Sequence, residues 1–224
     1  MFIAIEGIDG SGKTTVARHL VEQFPGSLFV DRKHFIDTLA HERRDLLAPL
    51  RQSIWGHPEC ARDPAGGYFW YCQLLAWYTA MDLFVLEKAL ARKRHVVVDG
   101  WIHRHAVKTA LRVECSVNEC LDMAAHLRQP HFCVFLDTPS SVAVTRRPRF
   151  APHELGDWER TPPVGAPAAR FVAYQDRVAG HLRALAHSKH WATFDGGTDT
   201  AEVLARKIAG QIQDVTNRAT KQLA

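Results

Sequence analysis

The chain has 224 residues, 46% of them hydrophobic and 23% charged, which suits one α/β domain large enough to bury a core. Net charge is +4, with no block of Lys/Arg interleaved with aromatics, so a cleft for several phosphates accounts for the basic excess and a nucleic-acid surface is not expected. No apolar run is long enough to cross a membrane, and the chain opens on a core strand, so a cytoplasmic enzyme without a signal peptide is expected.

In chain order, Phe2–Glu6 reads as a short apolar strand. Gly7-Ile8-Asp9-Gly10-Ser11-Gly12-Lys13-Thr14 then spells G-x-x-x-x-G-K-[ST], and an amphipathic helix follows over 13–24. Strand, loop and helix in this register are the context in which this spacing is a P-loop. Its glycines let successive N–H groups point at phosphate oxygens, and the helix adds its positive end. Lys13 can reach the β- and γ-phosphates, and the Thr14 hydroxyl can ligate Mg²⁺. Gly7, Asp9, Gly10, Ser11, Gly12, Lys13, Thr14 and Thr15 are therefore the expected nucleoside triphosphate site.

Further strands are expected at Leu28–Val30, His95–Asp99, His131–Leu136 and Trp191–Phe194. Helices are expected over 35–48, 68–92, 117–128, 139–147, 166–187 and 199–217. This alternation predicts a parallel sheet flanked by helices, in a single domain spanning 1–224. The prolines and two glycines of Pro148–Pro167 preclude regular structure there, while Arg146, Arg147, Arg149 and Arg160 surround it. Such a basic loop, about 146–167, is expected to be a lid, the alternative being a plain surface insertion. Five cysteines (Cys60, Cys72, Cys115, Cys120, Cys133) lack any C-x-x-C spacing and read as free thiols.

Two strands stop at a carboxylate, Asp99 and Asp137. At the sheet's carboxyl edge such an acid can hold Mg²⁺, directly or through water, or can cap the next helix. Asp99, followed by Gly100, is the expected site residue, and Asp137-Thr138-Pro139 reads as a helix opening. Asp9 sits beside a polyanion, so its carboxylate is expected to serve a second ligand or to bond the loop's own backbone. The aromatics Tyr68-Phe69-Trp70-Tyr71 and Trp77-Tyr78 could enclose a planar group or pack the core. His103-x-His105 lacks a third metal ligand and reads as solvated or phosphate-contacting histidine.

Phe2–Thr15 resembles the opening of thymidylate kinases, and later marks agree in order and spacing. Val30-Asp31-Arg32 falls where that family places a phosphate-contacting Arg, and Val98-Asp99-Gly100-Trp101 falls at its Asp-Arg-aromatic motif. Leu136-Asp137-Thr138-Pro139 with Arg146-Arg147 resembles its lid approach, and Phe194-Asp195-Gly196-Gly197-Thr198 resembles the loop that passes the adenine. The resemblance implies a P-loop kinase fold with a five-stranded parallel sheet, ATP as donor, Mg²⁺ at Thr14 and Asp99, Gly196 beside the base, and often a homodimer. Gly10 stands where one branch has Arg, so catalytic arginines are expected from Arg146, Arg147 or Arg149. It further implies a small-molecule acceptor, dTMP by default, near Asp9, Arg32, Asp99, Tyr78 and Arg104. Gly100 and Tyr78 replace two phosphate-gripping arginines of the family, leaving Arg32 in place. Arg104, His103, His105 or Arg51 could compensate, or the acceptor is a nucleoside or another hydroxyl-bearing metabolite. The remaining alternatives are a non-catalytic nucleotide switch, although no Asn-Lys-x-Asp element is present, and a degenerate paralogue that keeps nucleotide binding without acceptor chemistry.

Overall fold

The computed structural model describes residues 1–56 and 64–222, and Cys60 lies outside them. Five strands are all parallel: β1 (Phe2–Gly7), β2 (Leu28–Val30), β3 (Val96–Val98), β4 (Phe132–Asp137) and β5 (Ala192–Asp195). Their order is β2-β3-β1-β4-β5, with Ala4 opposite Val98 on one side and Cys133 on the other. The central strand thus delivers its carboxyl end, and the loop that follows, to the middle of the sheet edge.

Side chains alternate across the sheet as a pleated strand requires. Phe2 and Ala4 enter a core with Tyr71, Trp77 and Trp101, while Ile3 and Ile5 enter another with Leu20 and Ile208. The second layer is closed by α1 (Lys13–Glu22) and α11 (Ala201–Gln222), at opposite ends of the chain. A third cluster gathers Phe135 against Phe171, Tyr174 and Val178 of α10 (Pro167–Ser188).

The expected helix over 35–48 is broken into α2 (Phe35–Thr38) and α3 (Arg44–Arg51), and Arg51 donates to Asp37 at 2.7 Å across the break. The long helix runs as α4 (Pro64–Met81), one wide turn Asp82–Leu86, and α5 (Glu87–Ala91). At that turn Asp82 accepts from both the amide and the Nε of Arg128, each at 2.9 Å. Sequence reasoning missed α6 (His103–Ala110), a helix whose eight residues are all buried. Its His-Arg-His opening hides the helical period, because these polar groups point into the protein rather than toward solvent. After α7 (Val117–Met123) and α8 (Ser140–Thr145), the stretch expected to be irregular contains a short helix, α9 (Pro152–Leu155). Proline at its first position explains that exception, since N1 needs no amide. Cys72, Cys115, Cys120 and Cys133 carry free thiols, and no helix among the described residues is long and apolar enough to cross a membrane.

Candidate active site

The loop after β1 folds as the glycine spacing requires. Gly10 has φ +78, and a Cβ there would lie 2.8 Å from the Ala143 carbonyl oxygen, so only glycine lets α8 approach the loop. Gly12, also left-handed, caps α1, whose first residue is Lys13. The Lys13 ammonium curls back, donating to the Ile8 carbonyl at 2.5 Å and to Ser11 Oγ at 3.1 Å. Burial, reinforced by the charge of Arg104, holds the Lys13 pKa well below its ordinary value, so a polyanion would be welcome there.

Thr14 Oγ1 donates to Asp99 Oδ2 at 2.6 Å, joining the start of α1 to the end of β3. A hydroxyl and a carboxylate are hard oxygen donors that fit Mg²⁺ bound mainly by phosphates and water. Among the described residues no cluster of three or more His, Cys, Asp or Glu could hold a metal. His103 and His105 are buried rather than solvated. His103 instead meets buried Glu6 at 3.0 Å, and Glu6 also accepts from the Trp101 amide.

Arg32 donates from Nη1 to the Asp99 carbonyl oxygen at 2.7 Å. A Cβ on Gly100 (φ +119) would come within 3.2 Å of that nitrogen. A side chain at 100 would therefore crowd the Arg32 guanidinium, and the left-handed backbone there favours glycine in any case. Burial pushes the Arg32 pKa down, but Asp99, joined by Tyr78, Asp9 and Glu6, reverses this and keeps it above its usual value.

Asp9 is the centre of a buried polar network. Its carboxylate accepts from Arg104 Nη1 at 2.7 Å, from Lys108 Nζ at 2.5 Å and from Gln175 Nε2 at 3.2 Å. The Asp9 amide donates to Gln175 Oε1 at 3.0 Å, so Gln175 holds both ends of the residue. Burial pushes the Asp9 carboxyl up, but Lys108 and Arg104 more than reverse this and hold it well below the usual carboxylate range. Gln175 Nε2 and Lys108 Nζ also donate to the carbonyls of Glu154 and His153 in α9. The P-loop is thereby wired to the 146–167 stretch through two helices.

These elements enclose one cleft of about 630 Å³. Asp9, Gly10, Gly12, Lys13, Thr14 and Thr15 of the P-loop line it, together with Arg32, Asp99, Arg104, Arg146 and Arg147. Trp55, Trp70, His105, Trp158 and Tyr174 line it as well. Gly7 and Ser11 lie behind the lining, Gly7 at the end of β1 and Ser11 buried beneath Lys13. Gly196 is also outside it, and its carbonyl accepts from Arg146 Nη2 at 3.0 Å. Arg147 pairs with Glu154, whereas Arg149 is exposed and outside the cleft lining. Tyr78 is fully buried behind the cleft, its ring against Trp101 and His105. Of the aromatic run, Trp70 reaches the cleft, Tyr71, Trp77 and Tyr78 pack the core, and Tyr68 and Phe69 are exposed. Asp137 pairs with Arg183 at the surface, and Arg51 is engaged by Asp37.

Sequence reasoning missed Lys108, Arg112, Trp158 and Gln175 as site residues. Gln175 was detectable, because it is a polar residue at a core position of the Phe171, Tyr174, Val178 stripe. Arg104, Lys108 and Arg112, four apart along one helical face, were a second signal.

Residues 2–149 match the AAA domain family, and the chain belongs to that family of P-loop proteins. Its P-loop kinase-like fold is similar to that of deoxyadenosine kinase from M. mycoides, solved with products dCMP and a flexible dCDP bound. That likeness has a TM-score of 0.60 at 13% identity and covers 96% of this chain and 100% of the other. No curated protein matches the sequence.

Proposed function

We propose that this chain is an ATP- and Mg²⁺-dependent kinase that transfers the γ-phosphoryl group to a small acceptor, most simply a nucleoside monophosphate such as dTMP. The observation that carries this reading is a cleft lined both by the P-loop and by the indole rings of Trp55, Trp70 and Trp158. In this reading the P-loop amides from Asp9 to Thr15 hold the triphosphate, and Lys13 swings from the Ile8 carbonyl onto its β- and γ-phosphates. Thr14 and Asp99 hold Mg²⁺, which when bound neutralises charge on the phosphates. Arg146 and Arg147 descend with the 146–167 lid to stabilise the transferred group and exclude water, while Gly196 and Arg146 flank the adenine end. Arg32 grips the acceptor's phosphate, and Trp70 with His105 walls its planar body.

A second reading, in which the acceptor is a nucleoside or other hydroxyl-bearing metabolite, is favoured by the commitment of Arg104 and Lys108 to Asp9. That pairing leaves Arg32 with little help at an acceptor phosphate. An ADP-release assay across dTMP, other nucleoside monophosphates, free nucleosides and simple hydroxyl metabolites separates the two. Acceptor-stimulated release by a nucleotide supports the first reading, and stimulation only by uncharged acceptors supports the second. Nucleotide hydrolysis that no small molecule stimulates would refute both.

A further inference from the structure

Arg104, Lys108 and Arg112 recur every four residues, a row of cations leading away from the P-loop. The first two share the Asp9 carboxylate. Arg112, in the turn that follows α6, is 6% exposed, lines the cleft and has no carboxylate against it among the described residues. Its guanidinium carbon lies 5.6 Å from the ring centre of Trp70 and 5.0 Å from that of Trp158. The indoles attract the charge but offer no in-plane acceptor. Nε and Nη2 are both buried without a hydrogen-bond partner among the described residues. These two nitrogens form the side-on fork of arginine, the edge that matches the paired oxygens of a carboxylate or phosphate. Gly67 packs against the same turn: a Cβ there would meet Val113 Cγ1 at 2.4 Å, while Arg112 Nε would lie 3.4 Å away. Glu159 is the nearby carboxylate in the cleft lining, but it lies 2.8 Å from Arg177 instead. Burial without a counter-anion lowers the Arg112 pKa to about 10, the direction expected of a cation waiting for a partner.

We propose that the Arg112 fork, set among Trp70 and Trp158, binds an anionic group, a carboxylate or a phosphate, at the end of the acceptor remote from the P-loop. The substrate then joins a phosphoryl-accepting oxygen to a planar or apolar body and a second, distal anion. This rests on the kinase reading for what the anion belongs to, but the anion site itself is testable apart from turnover.

The test uses the full chain saturated with Mg²⁺ and the non-hydrolysable ATP analogue AMP-PNP, so that the P-loop's own anion site is filled. Malonate and inorganic phosphate are titrated separately by calorimetry. Wild type is expected to bind at least one probe one-to-one. Arg112→Gln should weaken that binding at least about tenfold, with Arg112→Lys intermediate because it keeps the charge and loses the fork. Preference for malonate or for phosphate identifies the source of the anion. Unchanged AMP-PNP affinity shows that a variant is folded, and if Arg112→Gln fails that control, Arg112→Lys decides alone. The proposal is overturned if wild type binds neither probe, if the folded Arg112 variants bind as wild type does, or if only Arg32→Gln abolishes binding. Should AMP-PNP itself not bind, the kinase reading fails, and the same titrations on the free chain still decide the anion site.

Discussion

The two halves of the cleft are built on different principles. The P-loop half comes from one continuous segment, Gly7–Thr15, and relies on backbone amides, glycine conformations and the start of α1. The far half is assembled from α4, α6, the α9 region and α10, and its polar groups are held by burial and by each other. A contiguous anion site tolerates sequence change around it, because its donors are main-chain. A site of converging side chains depends on each member, so its perturbations should cost stability as well as binding.

The largest effect expected from that contrast is at Asp9, where the two halves meet. Asp9→Ala leaves Arg104 and Lys108 buried without their carboxylate and removes a partner of Gln175. Breaking a buried ion pair by deleting one member costs about 3–5 kcal/mol, and urea denaturation should register a loss of that size. A change below about 1 kcal/mol would mean that water reaches the network and the halves are not rigidly joined.

Lys13→Ala probes the P-loop half alone. Its ammonium bonds only within the loop, so stability should change little. Removing one preorganised donor at a developing charge costs about 10²–10³ in turnover. Single-turnover kinetics with the best acceptor from the ADP-release panel should show that loss with acceptor affinity retained. A comparable loss of thermal stability would erase the distinction drawn between the halves.

That same contiguity decides what could be read from the sequence. Gly7–Thr14 carries its structure in its own spacing, and the five strands show as short apolar runs, so the P-loop and the parallel sheet were legible. Asp99 was legible too, because it ends a strand beside a glycine. Trp158 was not, because its role exists only where separate segments converge; at Lys108 and Gln175 the sequence shows polarity out of place but not the Asp9 carboxylate that it meets. The buried His-Arg-His start of α6 worked against recognition as well, since polarity there answers to Glu6 and Asp9 rather than to solvent. Tyr78 shows the reverse failure: its position along the helix suggested the acceptor, but the core claims the whole side chain.

Arg32, just after β2 in the cleft lining, tests whether the acceptor site grips a phosphate. Its contact with the Asp99 carbonyl is a single hydrogen bond at the cleft wall. A charge-assisted phosphate contact is worth about 1.5–3 kcal/mol, so Arg32→Ala should raise the KM for a nucleotide acceptor by about 10–100-fold and leave kcat nearly constant. An unchanged KM would move the assignment to an acceptor whose reacting end is uncharged.

The smallest effect separates the halves by pH. Burial pushes the Glu159 carboxyl up to about 7, and Arg177 only partly opposes it. Between the ordinary carboxylate range and about pH 7 the folded chain therefore holds more protons at Glu159 than the unfolded chain, and stability falls as pH rises through that window. His153, on the same segment, runs the other way. Burial, then the Lys108 charge, lower its pKa to about 3, so the unfolded chain holds more protons up to the ordinary histidine value and stability rises with pH. Where the windows overlap, the two slopes oppose and the wild-type profile is flattened. Glu159→Gln removes one of them, so the variant should gain on wild type as pH is raised from about 5 to about 7.5. Melting temperatures of the two proteins across that range give the comparison, at about 2–4 °C per kcal/mol for a domain of this size. A gap independent of pH would place Glu159 in contact with solvent and remove the far half's claim to be built by burial.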